Sequence, residues 1–188
     1  MSKAYAKSLI KTVLDNSQSN TWDAAVLEWE INDCEEDESL ESSCICGKEN
    51  LRYLFTISNK YNGRTLFPIG SSCIKKFDRE DLNTETSIQE AMFNLLHAIQ
   101  NGIFISLTAE FFSRKLLQAL YQEGAFNTDY NNYNGEQDYE FMLKIFNKRN
   151  KNSITSKQDK KVKAIIVNSI RPFLEQKLEN KIRQKQLK

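Results

Sequence analysis

Histidine is nearly missing from this chain: His97 is the only one among 188 residues. A nucleophilic Ser or Cys therefore has at most one imidazole base to draw on, and no Ser–His–Asp set can be assembled from any obvious pattern. His97 falls within AMFNLLHAIQ, an apolar helical run in which packing is the ordinary fate of an imidazole. Proline and glycine are scarce too, at two and six residues. No glycine-rich loop is available to cradle a phosphate, and long regular elements are expected. There is no run of about 18 apolar residues, so no membrane-spanning helix and no membrane partner are expected. The opening MSKAYAKSLIKTVL has neither the apolar core nor the small-residue cleavage site of a secretory leader, which points to a cytoplasmic setting. A net charge of +1 gives no general reason to bind nucleic acid. These absences together favour a protein without enzymatic activity.

What the chain does have is four cysteines in the pattern C-x9-C-x-C-x26-C: Cys34, Cys44, Cys46 and Cys73. Four thiolates converging from a short segment, a turn and a helix start suit a closed tetrahedral zinc site. Cys44 and Cys46 flank one residue, so both can reach one ion from a turn. The expected hairpin carries Cys46 just before its first strand and Cys73 just after its second, which brings the two together across the long gap. Cys34 would come from a loop after a preceding strand. Other arrangements stay open. Two disulfides have three possible pairings, although thiols of a cytoplasmic chain are kept reduced. The thiols can also be free or only partly ligating. If Cys34 does not ligate, Glu35 or a water would complete the shell, which would reopen a catalytic reading.

The periodicity predicts an α+β fold: a small N-terminal β-hairpin zinc unit with a predominantly helical C-terminal part. Residues 3–15 read as a helix. Residues 24–31 alternate as a strand, and DCEEDESLESS reads as a loop bearing Cys34. Strands are expected at 51–58 and 64–69 around the turn NKYNG, with Pro68 at an edge. GSSCIKKF starts a short helix capped by Ser71 or Ser72. Helices are then expected over 84–102, 108–124, 138–150 and 151–188, the last bent at Pro172. Two domains follow: residues 1–80, a zinc-binding α/β unit, and residues 81–188, a helical unit with a basic C-terminal helix.

Charge is unevenly spread. Between Glu28 and Glu49 stand nine acidic residues against the single base Lys48. Glu35, Glu36, Asp37, Glu38 and Glu41 form a candidate partner-binding surface that would steer a basic protein. The opposite bias holds from Lys151 onward, where Lys157, Lys160, Lys161, Lys163, Lys181, Arg183 and Lys185 are candidate phosphate contacts.

The stretch CICGKENLRYLFTISNKYNGRTLFPIGSSCIKKF resembles a segment of small proteins from Gram-positive bacteria, their phages and mobile elements. There a C-x-C-G turn precedes a hairpin that closes on G-S-x-C-[IV]-x-x-F. Cys44, Cys46, Gly47, Gly70, Ser71, Cys73 and Phe77 match those positions. The chain is also similar to the zinc-containing anti-CRISPR inhibitors of type II RNA-guided nucleases. That resemblance implies a zinc-bound unit joined to helices. It further implies a non-enzymatic phage inhibitor that binds a host protein, most specifically the type II CRISPR effector nuclease. The class-distinct expectation is a nucleic-acid-binding zinc accessory protein.

Overall fold

A computed structural model describes residues 3–177. Two units make up the chain, residues 1–89 and 90–188. The division falls inside the helix Glu80–Gln100, beyond the expected boundary at residue 80. Lys181, Arg183 and Lys185, named above as candidate phosphate contacts, lie outside the described residues.

In the first unit α1 spans Lys3–Asp15 and buries Leu9 and Val13. A short helix α2, Trp22–Ala25, runs into a 3-10 turn at Val26–Glu28. Three antiparallel strands follow in the order β1–β2–β3: Trp29–Glu36, Tyr53–Asn59 and Thr65–Ile69. Pro68 thus sits on an edge strand, where its missing N–H does no harm. After β3 come α3, Ser71–Ile74, and the start of α4, Glu80–Gln100. The core contains Trp29, Phe55, Ile57, Ile69 and Ile74, all essentially without solvent exposure.

The strand expected over 24–31 is a correction. Its first half is helical, and β1 instead runs through the acidic residues to Glu36. The cause lies in the register. Trp29 and Cys34 are both buried but stand five residues apart, so a regular strand would point them to opposite faces. The ladder slips between Ile31 and Asp33, and this bulge returns Cys34 to the buried side. Beyond it, Glu35 pairs with Leu54 and Glu36 with Tyr53.

The closed end of the β2–β3 hairpin is tied by one buried carboxylate. Glu28 accepts hydrogen bonds from the backbone of Gln18 at 2.8 Å and Ser19 at 2.7 Å, and from Asn59 Nδ2 at 2.5 Å. Asn59 Oδ1 in turn accepts from the N–H groups of Tyr61 and Asn62, which shapes the turn. Trp29 Nε1 donates to Ser17 Oγ at 2.9 Å beside them. Asn62 and Arg64 reach back to the carbonyls of Asn16 and Asp15 at the end of α1.

The second unit contains the end of α4, with α5 at Arg114–Gln122, α6 at Glu136–Phe146 and α7 at Ser156–Ile165. The expected stripe Met92, Leu95, Leu96 and Ile99 is buried. Tyr121 of α5 stacks on Tyr139 of α6 at 4.5 Å between ring centres. The helix expected from Thr108 starts later, because Ser113 accepts from Leu116 N and caps α5 there. Thr155 and Gln158 form a capping box, so α7 begins at Ser156 and not at Lys151. A π segment, Ile166–Ile170, lies just ahead of Pro172. A proline supplies no N–H and crowds the carbonyl four residues before it, and widening of the preceding turn relieves both problems.

Glu28 gives the first unit a specific acid sensitivity. Burial opposes its charge, yet the donors from Ser19, Gln18 and Asn59 hold its pKa down at about 2, against an ordinary 4.5. A depressed carboxylate contributes stability above its unfolded pKa and loses it as pH falls through the folded one. Both tryptophans, Trp22 and Trp29, lie in this unit, so their fluorescence reports its unfolding alone. The urea midpoint should fall steadily from pH 4.5 to 2. In Glu28→Gln it should be lower at neutral pH and less dependent on pH in that window.

Candidate metal centre

Cys44, Ile45, Cys46, Gly47 and Lys48 make a tight turn. Cys44 N donates to Lys48 O at 2.8 Å and Gly47 N to Cys44 O at 2.7 Å. Gly47 has φ of 89°, a left-handed value that a side chain would resist. The turn is fastened at both sides. Ile45 N donates to Pro68 O of β3 at 2.9 Å, and Leu51 N to Ser42 O at 3.0 Å. Gly70 caps α3 with its backbone, which corrects the expected serine cap. A Cβ on Gly70 would come within 2.9 Å of Leu51 Cδ2, so a larger residue there would have to displace the buried Leu51 side chain.

The turn and α3 bring three sulfurs together. Cys44 Sγ lies 3.6 Å from Cys73 Sγ, and Cys73 Sγ lies 3.4 Å from Cys46 Sγ. All three are within 4.8 Å of one another and could hold a metal ion. They are buried, with exposures of 4%, 3% and 0% for Cys44, Cys46 and Cys73. No disulfide joins any of the four cysteines.

Backbone donors surround the cluster. Gly70 N lies 3.4 Å from Cys44 Sγ and donates to it. The neighbouring Cys73 sulfur and, against burial, the N–H groups of Cys46 and Gly70 hold the Cys44 thiol well below its ordinary value. Cys73 is driven the other way, by the Cys44 sulfur beside it and by burial. Cys44 and Cys73 thus cannot both be charged on their own. A cation among them would remove the conflict, since metal binding releases the thiol protons.

Cys34 is placed elsewhere in the ladder. It sits on β1 opposite Phe55, is 1% exposed, and its Sγ is 3.8 Å from Glu35 O. Its sulfur is not part of the group of three. Cys34 comes from a strand and not from the expected loop, because β1 continues through the segment that was expected to loop back. Glu35, the expected substitute ligand, is likewise outside the group.

The acidic candidates divide into two sets. Glu36 accepts from Arg52 Nε at 2.8 Å, and its side chain is only 6% exposed. Asp37 organises a turn by accepting from the backbone and hydroxyl groups of Ser39 and Ser42 and from Glu41 N. These bonds, from Ser39 first, hold its pKa well below the carboxylate range. Glu38 and Glu41 are exposed. Of the basic candidates, Lys161 pairs with Asp138 at 2.9 Å and Lys163 with Asp159 at 2.6 Å, while Lys157 and Lys160 are exposed. Phe55 is buried and Tyr53 half-buried, so the hairpin offers no broad stacking face there.

No protein-family model, curated protein or solved structure matches the chain.

Sequence reasoning missed the role of Gly70, whose N–H faces a sulfur. The signal was the glycine directly ahead of Ser71-Ser72-Cys73. The centre makes a sharp prediction about ligand identity. Cys44→Ser, Cys46→Ser and Cys73→Ser should each lose bound metal on elemental analysis, with loss of the folded tryptophan signal. Cys34→Ser should lower metal affinity and melting temperature less than the other three substitutions do, because Cys34 alone must shift on β1 to reach the ion.

Proposed function

We propose that the ion is zinc, held by Cys44, Cys46 and Cys73 with Cys34 turning in as the fourth ligand on metal binding, and that its role in this closed shell is structural. The observation that carries this is the set of three buried sulfurs spaced at 3.4 and 3.6 Å. Sulfurs about 2.3 Å from one tetrahedral ion stand about 3.8 Å apart. Little rearrangement separates the present cluster from that geometry. An all-sulfur donor set favours zinc over hard cations. The ion would join the turn to α3 and supply folding energy that a unit of this size otherwise lacks.

On that scaffold we propose a non-enzymatic inhibitor, carried by a phage or mobile element, that binds a host protein in the cytoplasm. Its most specific form is an anti-CRISPR acting on a type II RNA-guided nuclease. Support comes from the resemblance through Cys44, Cys46, Gly47, Gly70, Ser71, Cys73 and Phe77. The exposed carboxylates Glu38 and Glu41 add to it, since the target class holds nucleic acid in positively charged channels. The second reading, a nucleic-acid-binding accessory protein, is favoured by exposed Lys157 and Lys160 on α7.

The test is a titration of zinc-loaded protein against the nuclease, DNA and RNA at about 50 mM and about 200 mM salt. The inhibitor reading expects a stoichiometric complex with the nuclease and blocked DNA cleavage. Absence of a complex at both salts would overturn it. Glu38→Lys/Glu41→Lys should slow association about tenfold at low salt and much less at high salt, with the fold intact. Asp37 is left unchanged in that variant because its carboxylate builds the turn.

A further inference from the structure

We propose that the first unit carries a binding cleft for single-stranded nucleic acid, formed around the metal turn. A cleft of about 480 Å³ is lined by Tyr5, Lys48, Ser72, Lys75 and Lys76. Three of its five lining residues are cationic and none is acidic. This contrasts with the chain as a whole, whose net charge is only +1.

The placement of these residues follows from the cysteines. Lys48 is two residues after Cys46, at the end of the turn, and its carbonyl accepts from Cys44 N. Ser72 directly precedes Cys73, and Lys75 and Lys76 lie in the 3-10 turn that continues α3. Tyr5 comes from α1. A Cβ built on Gly47 would lie 3.8 Å from its ring, so the ring rests against the metal turn. The elements that gather the sulfurs therefore also gather the lysines. All of the cleft lies within residues 1–89.

The chemistry of the lining selects the ligand. Three lysine ammonium groups supply the positive field that a phosphodiester backbone requires. The tyrosine ring and the lysine methylenes supply an apolar wall against which a base can lie. An aromatic ring interleaved with lysines accommodates an unpaired base better than a duplex, whose bases are already stacked. Ser72 adds a hydroxyl that can donate to a phosphate oxygen. The cleft makes this proposal independent of the inhibitor reading.

The experiment measures binding of a fluorescent single-stranded oligonucleotide and its duplex to the full zinc-loaded chain by anisotropy, across a salt series from about 50 mM to about 200 mM. Expected is tighter binding of the single strand, with affinity falling steeply with salt. Lys48→Gln/Lys76→Gln should lower the log–log salt slope by about 1.4, at about 0.7 per contact. Tyr5→Leu should weaken single-strand binding about tenfold while leaving that slope unchanged. Metal stoichiometry and tryptophan fluorescence verify that each variant is folded. Lys157→Gln/Lys160→Gln is the control on α7. If the slope drops in the control and not in the cleft variant, the cleft is overturned while the accessory-protein reading survives. No binding of either oligonucleotide by the parent at the lowest salt would overturn both. Inorganic phosphate that competes at low millimolar concentration as well as the oligonucleotide does would overturn the base-binding part.

Discussion

The first unit depends on three sulfurs that are buried closer together than uncompensated charge allows. Cys44, Cys46 and Cys73 lie at the meeting point of a tight turn, the end of β3 and the first turn of α3. Neutral thiols there would be a few small apolar groups and would contribute little. Thiolates would repel each other in a site that water barely reaches. A shared cation changes both conditions, because it is attracted to every sulfur at once and fixes their mutual geometry. The N–H groups of Gly70 and Cys46 already point at Cys44, so the protein has oriented donors to the charged form. These contacts are arranged around a centre whose net charge depends on what it holds.

The hairpin between these cysteines is pinned at its other end by a different device. Asn59 and Glu28 join the turn at residues 59–64 to the segment after α1. Strands β2 and β3 are thus held at the open end by the sulfur cluster and at the closed end by a buried carboxylate. Both anchors are polar and directional. Hydrophobic contacts among Phe55, Ile57 and Ile69 reward burial but tolerate a slipped register poorly only in aggregate. Two directional anchors at opposite ends specify one register. This explains how a sheet of three short strands can bring the cluster together.

Much of this was legible in the sequence. The helix at residues 3–15, the hairpin and its turn, and the pairing of Cys46 with Cys73 all follow from local pattern plus strand length. The part around Cys34 was not. Residues 24–31 alternate in apolarity, but Trp22–Glu28 turns helically, which is also how Glu28 comes to face inward. The eleven residues from Asp33 to Ser43 then read as a loop, yet the first four of them continue a strand because the bulge near Asn32 reverses the faces. Nothing in the local composition signals a one-residue slip in a partner-dependent ladder. The misread strand therefore also changes the origin of Cys34, which comes from a strand position opposite Phe55 and not from a loop. The C-terminal helices were found, but their starts were set by Ser113 and Thr155, caps that apolar periodicity ignores.

Charge runs are divided by the fold, and their fate shows how. The acidic stretch looked like one surface, but Glu36 is spent on Arg52 and Asp37 on the backbone of its own turn. The basic α7 looked like another, but Lys161 and Lys163 are matched by Asp138 and Asp159. A sequence run counts charges that the fold then cancels. The lysines at positions 48, 75 and 76 form no run, since 26 residues of hairpin and knuckle separate the first from the other two. They converge only because the cysteines next to them converge. The same folding constraint that assembles the metal centre therefore decides where positive charge collects, and a reading of charge along the chain cannot see it.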